Sequence, residues 1–172
     1  MHLLFLFAFF FGDWPQLLGP TRNGAYNDTD VAWPSKIVWK KQVGAGFAGP
    51  IIADGKVILF HRRGAEEIVE AFDGQSGKSL WTFAYPTTYR DDFGFDEGPR
   101  SAPTVADGKI FTCGAEGVMH AIDLVKGIQD LQCGQGLFRR GLLTALLRRQ
   151  GVPKHWLERK RELARLMPRR VS

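Results

Sequence analysis

Short apolar runs broken by Asp-Gly turns organise this chain, and the polar punctuation falls at regular places. Pro50 to Ala53 is apolar, Asp54-Gly55 offers a tight hairpin turn, and Lys56 to Phe60 (KVILF) is rich in β-branched and other apolar side chains. Gly accepts positive φ and Asp tolerates it, so the pair can join two strands directly. His61 to Glu67 is polar around Gly64 and reads as a loop. Ile68 to Phe72 alternates as a third strand, Asp73 to Lys78 forms a second turn, and Ser79 to Ala84 (SLWTFA) is a fourth strand carrying Trp81.

The same phrase then returns. Pro50 to Val57 is echoed by Pro103 to Ile110 at an offset of 53, and Glu70 to Gly77 by His120 to Gly127 at an offset of 50. A period in this range marks a repeat architecture, and four short strands in ~35 residues suit one blade of a β-propeller. One blade cannot bury both of its faces and needs neighbours. In the second copy, Ser101 to Val105, Lys109 to Cys113 and Val118 to Ile122 match the first three strands. Ile128 and Leu131 stand where Lys78 and Trp81 stood, and no strand-like run follows. The expected fold is all-β: a partial propeller of about one and a half four-stranded blades, followed by a basic C-terminal tail that is helical or disordered.

The turn residues resemble those of the pyrroloquinoline-quinone (PQQ) repeat family, the quinoprotein-type β-propellers, whose blade motif runs Ala-x-Asp-x-x-x-Gly-Lys-x-x-Trp. The first copy matches at Ala71, Asp73, Gly77, Lys78 and Trp81, and the second at Ala121, Asp123 and Gly127. Asp13-Trp14-Pro15 with Gly19-Pro20 and Gly24 resembles the start of mature secreted members, and Val38 to Val43 (VWKKQV) resembles the lone fourth strand that closes a ring. The resemblance covers residues 13–127. It implies blades in which the Trp packs between adjacent sheets. Some relatives are PQQ-dependent alcohol or sugar dehydrogenases that also use calcium; others are scaffolds, such as the outer-membrane assembly lipoprotein. The quinone site of such an enzyme draws on many blades, so PQQ with calcium is expected only in a full-length propeller. No catalytic residue, cofactor ligand or metal ligand is assigned here.

Charge divides the chain. Residues 139–172 hold 11 Lys or Arg against 2 Asp or Glu, whereas the preceding part is mildly acidic within an overall net charge of +5. Leu137 to Arg149 and His155 to Met167 both read as basic amphipathic helices, separated by Pro153. Three readings of residues 128–172 stay open. The tail binds anionic membrane or nucleic acid, it is a solvated basic helix, or it reflects a shifted reading frame, since the break falls inside a repeat. Leu3 to Phe11 is apolar and too short to span a bilayer, so residues 1–12 are read as a signal-peptide remnant and the protein as periplasmic or secreted. At 172 residues the chain is read as a fragment with open blade edges, which invite self-association.

Candidate chemistry is sparse. Cys113 and Cys133 make no CxxC pattern, and Cys113 reads as a small core residue. The four histidines lack ligand spacing, and His120 reads as structural. The best candidate is the connection Tyr85 to Arg100 (YPTTYRDDFGFDEGPR), where Arg90, Asp91, Asp92, Asp96, Glu97 and Arg100 offer a site for a polar ligand or a cation, or else pair among themselves. The expected role is a binding or scaffold module for a protein or small molecule. The alternatives are a fragment of a quinone-dependent dehydrogenase, and a membrane- or nucleic-acid-associated protein acting through the tail.

Overall fold

Each repeat opens on its Asp-Gly turn. Asp54 and Asp107 adopt positive φ of 50° and 49°, and Gly55 and Gly108 follow at 68° and 70°. Two successive left-handed residues make the turn that matches the twist of an antiparallel hairpin. In the computed structural model, which describes residues 12–26 and 37–133, these turns join β1 (Ile51–Ala53) to β2 (Lys56–Arg63) and β5 (Thr104–Ala106) to β6 (Lys109–Cys113). With β3 (Glu66–Asp73), β4 (Ser79–Pro86), β7 (Met119–Asp123) and β8 (Gln129–Cys133), they form two four-stranded antiparallel sheets in the order β1-β2-β3-β4 and β5-β6-β7-β8. The fold is all-β, a partial β-propeller.

Two expectations need correction. His61 to Glu67 is not a loop. β2 runs on to Arg63 and β3 begins at Glu66, with Arg62 opposite Glu67 and His61 opposite Ile68. These polar side chains sit in strands because other parts of the chain supply their hydrogen bonds. The second sheet also has its fourth strand: β8 occupies residues 129–133, past the point where strand-like sequence was expected to end. It pairs with β7 in the register that β4 keeps with β3. Ala71 faces Trp81 and Phe72 faces Ser79, skipping Leu80; Ala121 faces Leu131 and Ile122 faces Gln129, skipping Asp130. The same bulge in both copies places Leu131 in the tryptophan position.

The core lies between the sheets. Ile51, Ile58, Phe60, Val69 and Ala71 of the first sheet meet Ile110, Ile122 and Leu124 of the second, with Trp81, Phe83 and Tyr85 packed against them. Residues 37–43 form no ladder, in contrast to the closing strand expected at Val38 to Val43. Trp39 nonetheless lies across the first sheet, 6.3 Å from the Phe72 ring, and its indole N–H donates to the Gly74 carbonyl (2.9 Å). Cys113 and Cys133 both stand opposite Met119, on its two sides. No helix among the described residues is long and apolar enough to cross a membrane. The apolar N-terminal run and the basic segment beyond residue 133 lie outside the described residues.

Candidate functional site

The Asp and Gly of the repeat motif build a turn that receives a tryptophan from the neighbouring unit. The Asp73 carboxylate accepts from the Ser76 N–H (2.7 Å) and hydroxyl (2.6 Å), and the Gly77 N–H donates to the Asp73 carbonyl (2.9 Å). These bonds hold the Asp73 carboxyl below its usual range, the Ser76 side chain first. Asp123 repeats the arrangement with the N–H groups of Lys126 (2.7 Å) and Val125 (3.0 Å), which likewise lower its pKa. Gly77 and Gly127 have φ of +67° and +68°, and a Cβ there would lie 2.7 Å from the Trp39 ring and 2.5 Å from the Trp81 ring. Trp81 donates to the Leu124 carbonyl (3.2 Å), the counterpart of the bond from Trp39 to Gly74. Trp81 on the Asp123–Gly127 turn therefore joins the two sheets, Trp39 sits likewise on the Asp73–Gly77 turn, and Ala71 and Ala121 stand opposite Trp81 and Leu131 within their own sheets. Lys78 contributes backbone bonds to its turn, its carbonyl accepting from the Asp73 N–H (2.8 Å).

Buried ionisable groups hold backbone in place. His61 is 2% exposed, its Nδ1 accepts from the Gly44 N–H (2.8 Å), and its Nε2 bonds Glu70 Oε2 (3.1 Å). With Nδ1 accepting from Gly44 and Nε2–H donating to Glu70, the imidazole of His61 has its lone pair engaged by the backbone. Burial and the nearby Arg63 lower the pKa of His61 against the pull of Glu70. Glu67 joins the sheets: it accepts from the Tyr85 hydroxyl and from the Ala115 N–H (2.7 Å). Burial, and then Glu67, push the Tyr85 phenol well above its ordinary range. His120 lies against Tyr85 (ring centroids 4.1 Å apart) and Phe83 (5.2 Å), and burial lowers its pKa to about 4. The His120 ring nitrogens and the Thr112 hydroxyl, which face each other across β6 and β7, make no hydrogen bond.

In the connection after β4 the charges answer one another. Arg90 donates to both carboxylate oxygens of Glu97 (3.1 and 3.0 Å), and Arg100 to Asp91 Oδ1 (2.5 Å). Asp96 accepts from the Gly98 N–H (2.7 Å), and Asp92 is exposed. Asp91 is the centre of the loop. Its side chain is 2% exposed, and Oδ2 accepts from the N–H groups of Phe93 (3.1 Å) and Phe95 (2.7 Å). The Phe95 N–H, followed by Arg100, keeps its carboxyl below the usual range.

Sequence reasoning missed Arg62, which underlies this loop. Its guanidinium is buried, donates to the carbonyls of Gly64 (2.8 Å), Tyr89 (2.8 Å) and Glu97 (3.1 Å), and pairs with the Glu97 carboxylate (3.5 Å). The available signal was His61-Arg62 directly after the apolar run Val57 to Phe60, where a strand continues only if such side chains find partners. Among the described residues no group of three or more His, Cys, Asp or Glu side chains is placed to hold a metal ion.

No protein-family model and no curated protein matches the chain. Among solved structures, the quinohemoprotein alcohol dehydrogenase from Comamonas testosteroni aligns over 71% of this chain and 19% of its own, at 19% identity and a TM-score of 0.51. BamB from Moraxella catarrhalis aligns over 56% of this chain and 26% of its own (23% identity, TM-score 0.43), and a europium-containing methanol dehydrogenase over 50% and 15% (22% identity, TM-score 0.40). At such identities the likeness to the alcohol dehydrogenase is one of fold, and the chain spans about a fifth of that enzyme's length.

Proposed function

We propose that this chain is part of a quinoprotein-like β-propeller that serves as a binding or scaffold module outside the cytoplasm. The observation that carries the reading is the connection after β4. Arg62 and Asp91 hold it from beneath, while Phe93 and Phe95 stand 84% and 65% exposed at its tip. A fixed loop that keeps aromatic rings in water fits recognition better than turnover. The apolar run Leu3 to Phe11 supports export.

A second reading, part of a quinone-dependent dehydrogenase, has behind it the fold likeness to the Comamonas enzyme. Incubation of a full-length propeller that contains these residues with pyrroloquinoline quinone and calcium, then gel filtration, separates the two. The module reading expects the quinone absorbance to elute apart from the protein. Quinone that co-elutes and supports alcohol-dependent dye reduction overturns it.

A further inference from the structure

We propose that His61 is an acid-sensitive latch: its neutral ring fastens the strap of residues 39–48 to the first sheet, and its protonation frees the strap at Gly44. The strap forms no ladder and is held at separate points. Trp39 donates to the Gly74 carbonyl, and Lys41 Nζ lies 4.9 Å from the centre of the Phe72 ring. Ala45 exchanges two backbone hydrogen bonds with Arg62 (2.9 and 2.8 Å), and the Phe47 and Ala48 N–H groups donate to the Pro99 carbonyl (2.9 and 3.2 Å). Between Lys41 and Ala45, the Gly44 N–H donates to His61 Nδ1.

That bond exists in one protonation state. With Nδ1 accepting, the proton of the neutral ring sits on Nε2 and faces Glu70 Oε2. A second proton must go on Nδ1, directly against the Gly44 N–H. Two donors then face each other in a buried place, and neither has an acceptor. An imidazolium donates from both nitrogens, so turning the ring does not remove the conflict. Gly44 is pressed close, since a Cβ there would lie 1.9 Å from the Arg62 carbonyl oxygen and 2.8 Å from His61 Nδ1. The strap therefore yields outward, where residues 40–43 and 45–47 are already exposed.

The charged groups around His61 are Glu70 on β3 and Arg63 on its own strand, which shares the Glu70 Oε2 atom (3.1 Å). On the strap, Lys41 lies over Phe72 and Lys40 is exposed. Ile68, Thr82 and Ala84 occupy the facing positions of β3 and β4 and add no charge. Glu70 favours the imidazolium, but burial and then Arg63 oppose it more strongly while the strap is closed. Once the strap opens, the ring meets water and takes its proton nearer the ordinary 6.5. The closed strap is thus fully favoured above that pH and loses ground as pH falls below it.

Amide exchange of the whole chain, followed by NMR and corrected for the intrinsic rate at each pH, tests the latch. From pH 7 to 5, protection at Gly44 should fall by up to about tenfold per pH unit below 6.5, and by more than protection in β3. His61→Asn sets an amide oxygen near the Nδ1 position and does not titrate, so its strap protection should be independent of pH. Gly44→Ala should leave the strap unprotected already at pH 7. The ring-nitrogen NMR shifts of wild-type His61 should change over the same pH range as Gly44 exchange, a readout that needs no variant to fold. Constant strap protection in wild type, an equal fall in His61→Asn, or loss in step with β3 overturns the proposal.

Discussion

Trp81 and Leu131 stand at the same place in two copies of one sheet, each opposite an alanine and each beside the same bulge. Trp81 reaches the next unit: it lies over Gly127 and donates to the Leu124 carbonyl. Leu131 holds the identical register without an indole. Strand formation and joint formation are thus separate properties of one position. The first needs backbone pairing after the Asp-x-x-x-Gly turn; the second needs a large ring with a donor. Trp39 makes the converse point, since it forms the joint from a segment that has no ladder.

Substitution sharpens that contrast. Trp81→Ala should destabilise the chain by about 3 kcal/mol in denaturant unfolding, through lost ring burial and a lost hydrogen bond. Leu131→Ala, at a half-buried site, should cost no more than about 1 kcal/mol. Equal effects would mean that the indole contributes nothing special to the joint.

Acid should open the same joint. His120 is folded as the neutral imidazole, with Tyr85 and Phe83 against its ring, Thr112 opposite, and the Glu67 carboxylate on the far side of the Tyr85 hydroxyl. Its folded pKa of about 4 lies below the ordinary 6.5. As pH falls below about 6.5 the unfolded chain takes up the proton first, so stability is full above that value and drains away as pH approaches 4. At ~1.4 kcal/mol per pKa unit the loss from this group approaches roughly 3 kcal/mol. Unfolding curves between pH 7 and 4 should show the slope, and His120→Leu should remove that part of it. A slope unchanged in the variant would assign acid sensitivity elsewhere.

The smallest contrast compares two glycines of like backbone. Gly127→Ala brings a methyl group into the Trp81 ring as well as straining a positive φ, and should cost about 2 kcal/mol or more. At Gly64, φ is +59° and nothing lies within 4 Å, so Ala there meets only the backbone strain, about 1 kcal/mol. Thermal midpoints of the two variants check the difference.

The first sheet was legible because each of its parts carries its own local signal: Asp-Gly for the hairpin, apolar alternation for β3, and Trp81 after the Gly turn. β8 (QDLQC) was not, because its stability comes from pairing with β7 and its composition gives no strand signal. The ends of β2 and β3 were hidden for a related reason. His61, Arg62 and Glu67 look like loop residues until Gly44, Tyr89, Glu97 and Ala115, distant in sequence, supply their partners. Loop chemistry was legible as a collection of charges. Its arrangement was not, since composition does not reveal that Asp91 turns inward while Phe93 and Phe95 turn outward.

Residues 13–15 cross the inner edges of both sheets. Trp14 exchanges two backbone hydrogen bonds with Ile52 (2.8 and 3.0 Å), the Asp13 carboxylate accepts from the Asp54 N–H (3.1 Å), and the Pro15 carbonyl accepts from the Val105 N–H (2.8 Å). The three-residue strands β1 and β5 thereby gain partners on sides that would otherwise be open templates for other chains. Synthesis runs in the opposite sense to this dependence. The segment is made before both partners, and Val105 follows Pro15 by 90 residues, several seconds of translation at ~5–20 residues per second. During that interval Trp14 can already cover β1, while the Pro15 carbonyl waits for β5.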